Sequence, residues 1–118
     1  MKPYIKNMPR DEVVNLADLV AIQPGQVVSR TLAQNNYVSL TLFAFDKDEE
    51  ISTHESTGDA LVTVLCGEGT FTVDGVPHDV KAGESFLMPA KHPHSVYGKT
   101  AFKWLLTVVF PTEQKKKN

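Results

Sequence analysis

The stretch Ile51-Ser52-Thr53-His54-Glu55-Ser56-Thr57-Gly58-Asp59-Ala60-Leu61-Val62-Thr63-Val64-Leu65-Cys66-Gly67-Glu68-Gly69 decides how this chain is read. His54 stands at the mouth of a turn-like segment, Glu55 to Asp59. Ala60 to Cys66 then runs as a strand of apolar and β-branched residues, with Ala60, Val62, Val64 and Cys66 on one side. The glycines at 67 and 69 end it. A second stretch answers the first: Gly83-Glu84-Ser85-Phe86-Leu87-Met88-Pro89-Ala90-Lys91-His92-Pro93-His94. Its strand, Glu84 to Met88, leads into a loop bounded by two prolines, which lack the N–H that a central strand needs.

Working outward, the text is β on both sides. Val27 to Leu32 predicts a strand, Asn35-Asn36 a hairpin turn with its φ > 0 tolerated by Asn, and Tyr37 to Phe45 the returning strand. On that strand Val38, Leu40, Leu42 and Ala44 face one way and Ser39, Thr41, Phe43 and Phe45 the other, so neither face is fully wet. Asp46 to Glu50 is a charged, solvated connection. Asp74-Gly75 is a strong hairpin signal between Thr70–Val73 and Val76–Lys81. Ala101 to Phe110 is the last and longest strand, with Phe102, Trp104, Leu106, Val108 and Phe110 on one side. Many short strands with frequent turns predict an antiparallel sandwich or barrel. Ahead of it, residues 1–24 form an N-terminal arm, too polar over Met1–Arg10 to bury much. Its Asp11–Val20 segment fits no single period. Residues 25–111 form one domain and 112–118 a polar tail.

The bulk numbers agree with one small domain: 118 residues, 42% hydrophobic and 22% charged, with a net charge of −2. That balance offers no basic surface for nucleic acid. The lysines at 115–117 read as a solvated chain end. The segment Val13 to Ile22 is too short and too polar to span a bilayer, and no secretory pattern precedes it. A single cysteine, Cys66, suits a reducing compartment and reads as a small buried hydrophobe. The expectation is a cytoplasmic protein with no nucleic-acid or membrane partner.

The two quoted stretches resemble the paired motifs of the cupin family, a double-stranded β-helix or jelly-roll barrel. The family's second motif runs glycine, five residues, proline, one residue, glycine, two residues, histidine. Gly83, Pro89 and His94 match it, and Lys91 stands in the second glycine's place. In the first motif His54 matches the second of two histidines and Gly67 the closing glycine. Ser52 stands where the first histidine falls, and Ala60 where the carboxylate falls. The resemblance covers about Ser39 to Phe110. It implies an all-β fold and a ligand site in the barrel lumen, and it leaves open which of the family's many activities applies. It also implies homodimers formed through a sheet face and the N-terminal segment.

The resemblance implies a metal held by three histidines and one carboxylate; this chain keeps His54 and His94 of that set. His92 lies two residues before His94, the spacing that puts both on one side of an extended segment. His54, His92 and His94 are therefore the candidate ligands, and imidazoles suit Zn, Fe, Ni or Cu. Asp59, next to Ala60, should face away from the lumen. A site without metal needs only a small molecule contacting Ser52, His54, His94, Tyr97 and Trp104. A histidine base, with a pKa of about 6.5, would also serve a metal-free epimerase or isomerase, and a metal would serve an oxygenase or isomerase. His78 is expected on the surface at the barrel's other end.

Overall fold

A computed structural model describes residues 3–112. Nine strands follow one another: β1 (Val27–Gln34), β2 (Val38–Phe45), β3 (Glu50–His54), β4 (Asp59–Cys66), β5 (Glu68–Val73), β6 (Val76–Lys81), β7 (Ser85–Met88), β8 (His94–Gly98) and β9 (Phe102–Val109). They form two antiparallel sheets, one in the order β1-β2-β9-β4-β7 and one in the order β3-β8-β5-β6. The sheets close on one another as the jelly-roll barrel that the turn spacing predicts. The lysines at 115–117 and most of the expected tail lie outside the described residues.

Local chemistry explains most of the turns. At Asp74-Gly75 both residues have positive φ, 52° and 80°, as a two-residue turn matching strand twist requires. The Asn35-Asn36 turn works differently from the expectation. Neither residue has positive φ. Instead the Asn35 side-chain oxygen accepts from the Tyr37 and Val38 amides at 2.8 and 3.1 Å. The turn is thus capped by a side chain mimicking backbone.

The lumen is packed with rings. Phe45, Phe71, Phe102 and Trp104 are all at most 1% exposed. Phe102 stacks nearly parallel to Trp104, with interplanar angle 3° and centroids 6.1 Å apart. Gly69 lies directly against this packing: a Cβ there would run into the Phe102 ring. Phe43 stacks on Trp104 at 4.7 Å. These are the inward residues of β2 and β9, which pair Phe43 with Trp104 and Phe45 with Phe102.

The other face of β2 is covered too. Leu42 and Ala44 are fully buried, in a second cluster with Val20 and Leu32. The cover is the N-terminal segment: Met8, Leu16, Leu19 and Ile22 all pack there. Its unassigned part contains one turn of 3-10 helix, Leu16–Leu19, capped by Asn15, whose side chain accepts from the Ala17 amide. The polar start is also tied down, through Lys6 N–H to the Leu32 carbonyl and the Asn7 amide to the Thr31 carbonyl, both at 2.8 Å. The arm buries more than its polarity suggests, because its apolar residues are spaced to fit one exposed stripe of the sheet. Among the described residues, no helix is long and apolar enough to cross a membrane.

Candidate functional site

His54 ends β3 and His94 begins β8, and the two are direct cross-strand partners. Simple alternation would not allow this. Ile51 pairs with Val96 and packs on the inner core, so a regular strand would turn His54 outward. The register shifts between Ile51 and His54: three steps on β3 answer two on β8. This bulge at Ser52-Thr53 re-aims the imidazole inward.

The two rings meet edge to face, with centroids 4.3 Å apart and an interplanar angle of 69°. Their Nε2 atoms are 3.2 Å apart. Each Nδ1 faces a main-chain carbonyl, that of Ser52 for His54 (2.9 Å) and that of His92 for His94 (3.2 Å). A carbonyl only accepts, so both Nδ1 atoms must carry the proton. In the neutral rings both Nε2 atoms are then bare lone pairs aimed at each other. The gap between them is satisfied by a proton, a donor group or a cation. His94 is only 4% exposed, whereas His54 is exposed. Burial, and next the neighbouring His54, hold the His94 pKa below the ordinary histidine range, while the His92 carbonyl acts the other way.

The remaining candidates are dispersed. His92 does not join the pair: its Nδ1 contacts the Asp74 carboxylate at 2.6 Å, across the rim. The Asp74 amide also donates to the Pro93 carbonyl at 3.0 Å, so the β5–β6 hairpin is fastened to the loop ahead of His94. Ser52 is exposed and its recorded contribution is the carbonyl that orients His54. Tyr97 lies on the outer side of β8, because His94, Val96 and Gly98 take the buried side. Its hydroxyl donates to Asp48, which raises the Tyr97 pKa. Trp104 is buried in the lumen, and its indole N–H is the buried side-chain atom without a hydrogen-bond partner among the described residues. Asp59 faces out, accepting from the Ala90 amide at 2.9 Å. His78 is exposed, with its ring 4.7 Å from that of Phe86. The hairpin before it lies at the same end as His94, contrary to expectation, since β5 runs antiparallel to β8 and pairs Val73 with His94. Among the described residues no group of three or more His, Cys, Asp or Glu side chains is placed to hold a metal ion.

Sequence reasoning missed a groove. It measures about 830 Å³ and is lined, among the described residues, by Asn35, Asn36, Tyr37, Thr57, Lys91, Phe110, Pro111 and Thr112. Neither imidazole of the pair lines it. Its walls nevertheless come from the loop that leaves His54 and the loop that enters His94, joined by the Lys91 amide to the Ser56 carbonyl at 2.8 Å. The available signal was Lys91 itself, a lysine at a motif glycine, here with φ of 67°.

The family model of the cupin domain matches residues 41–109. Solved structures agree over nearly the whole chain. A conserved protein of unknown function from Streptococcus pyogenes is 41% identical, covering 93% of this chain and 96% of its own, with a TM-score of 0.91. A cupin superfamily protein from Desulfitobacterium hafniense is 34% identical over 91% of this chain and 98% of its own, with a TM-score of 0.86. A cupin 2 conserved barrel domain protein from Leptotrichia buccalis is 46% identical over 81% of this chain but 47% of its own, with a TM-score of 0.80. Among curated proteins no match was found. The chain belongs to the cupin family.

Proposed function

We propose that this cupin binds a small molecule at the barrel mouth, with His54 and His94 as the chemical centre of the site. The observation that supports this reading is the Nε2–Nε2 spacing of 3.2 Å with both Nδ1 atoms turned to carbonyls. Two converging acceptors on a mostly apolar barrel are the small number of placed polar groups by which such sites orient a ligand. The site binds a donor group between the rings. A screen of sugars and organic acids against chelator-treated protein tests it by thermal shift. A ligand at a hundred times its Kd should stabilise by about 2.7 kcal/mol, an effect lost in His54→Ala. A screen in which no compound shifts the midpoint, or in which every compound that does so shifts His54→Ala as much as wild type, would remove the reading.

A metal-dependent reading is favoured by the same spacing. Imidazole nitrogens bind Zn at about 2.0–2.1 Å, so two nitrogens this far apart can share one ion. Nδ1–H groups held by carbonyls are also the usual outer support of histidine ligands. His54 and His94 would hold Zn, Fe, Ni or Cu, with water or the bound molecule completing the set, since His92 is engaged with Asp74. Such an ion would polarise an oxygen of the bound molecule, as an isomerase requires, whereas an oxygenase would need one of the redox-active ions, Fe, Ni or Cu, together with O₂. Elemental analysis of untagged protein decides: stoichiometric metal, lost in the double variant His54→Ala/His94→Ala, supports it. Metal near zero after reconstitution with each of the four ions rejects it.

Without metal, His94 kept neutral near pH 7 is suited to act as the base of an epimerase or isomerase. Solvent hydrogen exchange into a substrate carbon, abolished in His94→Gln, is its test. The assembly we propose is a homodimer. The exposed Leu61, Leu87 and Val109, on the outer face of the larger sheet, support that. The single cysteine supports a reducing, cytoplasmic setting.

A further inference from the structure

We propose that the groove beside the histidine pair is a separate binding site for a polyhydroxylated monocarboxylate, with Lys91 as its anion-recognising residue. The groove is of ligand size, about 830 Å³. Among the described residues that line it, Lys91 is the charged one. Asp59 lines the adjoining hollow, where one of its carboxylate oxygens accepts from the Ala90 amide. Among the described residues no carboxylate forms an ion pair with Lys91; the ion pairs there are made by Lys99 and His92. An anion in the groove would therefore meet the Lys91 ammonium.

The uncharged lining narrows the ligand further. Asn35 spends its carbonyl oxygen on the turn amides, which leaves its NH₂ group as a donor. Asn36 and Thr57 add an amide and a hydroxyl that both donate and accept. Such groups match the hydroxyls of a polyol or sugar better than they match an apolar acid. Tyr37, 64% exposed, and Phe110 add ring surface against which the C–H face of a sugar can lie.

The backbone supplies an independent reason to look here. Lys91 holds φ of 67°, a conformation that disfavours any side chain. Such outliers persist only where the surroundings enforce them, and they gather at binding and active sites. The surroundings here are two bonds, Lys91 N–H to Ser56 and Ala90 N–H to Asp59. A lysine standing where glycine would relax the loop points to a use for its ammonium.

The test is an NMR titration of the full chain, chelator-treated, with D-glucuronate, D-galacturonate and D-gluconate, and with D-glucose as the neutral counterpart. At least one acid should give saturable shifts at Lys91, Thr57 and Tyr37 in the millimolar range, with glucose weaker by about fivefold or more. Lys91→Met should weaken the acid by about fivefold and Lys91→Arg by less than about twofold. Lys91→Gly, which relaxes the backbone while removing the charge, should bind as poorly as Lys91→Met. His54→Ala should leave these affinities unchanged, which separates this site from the histidine pair. No saturable shift with any acid up to about 100 mM, equal binding of glucose, or full affinity in Lys91→Met would each overturn the proposal.

Discussion

His54 and His94 face each other through Nε2 atoms 3.2 Å apart, each ring turned by its Nδ1 to a main-chain carbonyl. The arrangement is electrostatically unfinished in the neutral state, so it should respond to whatever enters the gap. In metal-free protein the neutral rings should both be Nδ1–H tautomers. Two-bond ¹⁵N–¹H correlation spectra of the imidazoles read this directly. An Nε2–H tautomer at either ring would contradict the assignment.

Stability should fall with acid because of His94. Its pKa is lowered in the fold, so the unfolded chain takes up the proton first. The contribution is complete above the unfolded value of about 6.5 and is lost as pH falls below it, levelling off once pH passes the lowered native pKa. Urea midpoints of chelated protein should decline across that window, and His94→Gln should lack this component of the slope. A slope of the same size in the variant would assign it elsewhere.

Lys91→Gly should raise stability by up to about 1 kcal/mol. The left-handed conformation costs a side chain about 1–2 kcal/mol, and glycine's larger unfolded-state entropy returns part of that. The urea midpoint should rise with an unchanged slope. A lower midpoint would mean that the lysine stem contributes more packing than the backbone strain removes.

Gly69→Ala should be among the most damaging small substitutions. The added methyl has the Phe102 ring in its way, and that ring is buried against Phe45 and Trp104. Overpacking of this kind costs about 1–3 kcal/mol. Calorimetry should show a clear loss, whereas Gly75→Ala should lose only through its positive φ, since nothing stands within 4 Å of its added carbon.

The fold was legible because strand alternation and turn chemistry are local. Asp74-Gly75 and the two faces of β2 could be read from their own residues. The histidine pair was legible as a pair for another reason: the motif spacing encodes a cross-strand contact. What escaped was non-local. Nothing in Ser52-Thr53 announces a bulge, and without it alternation puts Ile51 and His54 on opposite faces. His92 was expected beside His94, but the sequence does not show that Asp74 from a distant hairpin reaches it first. Tyr97 could have been placed better: three positions from His94, it belongs to the other face by parity alone. The groove was invisible because its walls come from four separate loops and strand ends.

The rings of Phe45, Phe71, Phe102 and Trp104 have a consequence for traffic. They stop the barrel at the end away from the histidines, where Phe102 lies against Gly67 and Gly69. On the proposed reading, a molecule bound at His54 and His94 would therefore leave by the way it came. An occupant of the rim would slow departure as much as arrival, acting on residence time without touching either imidazole.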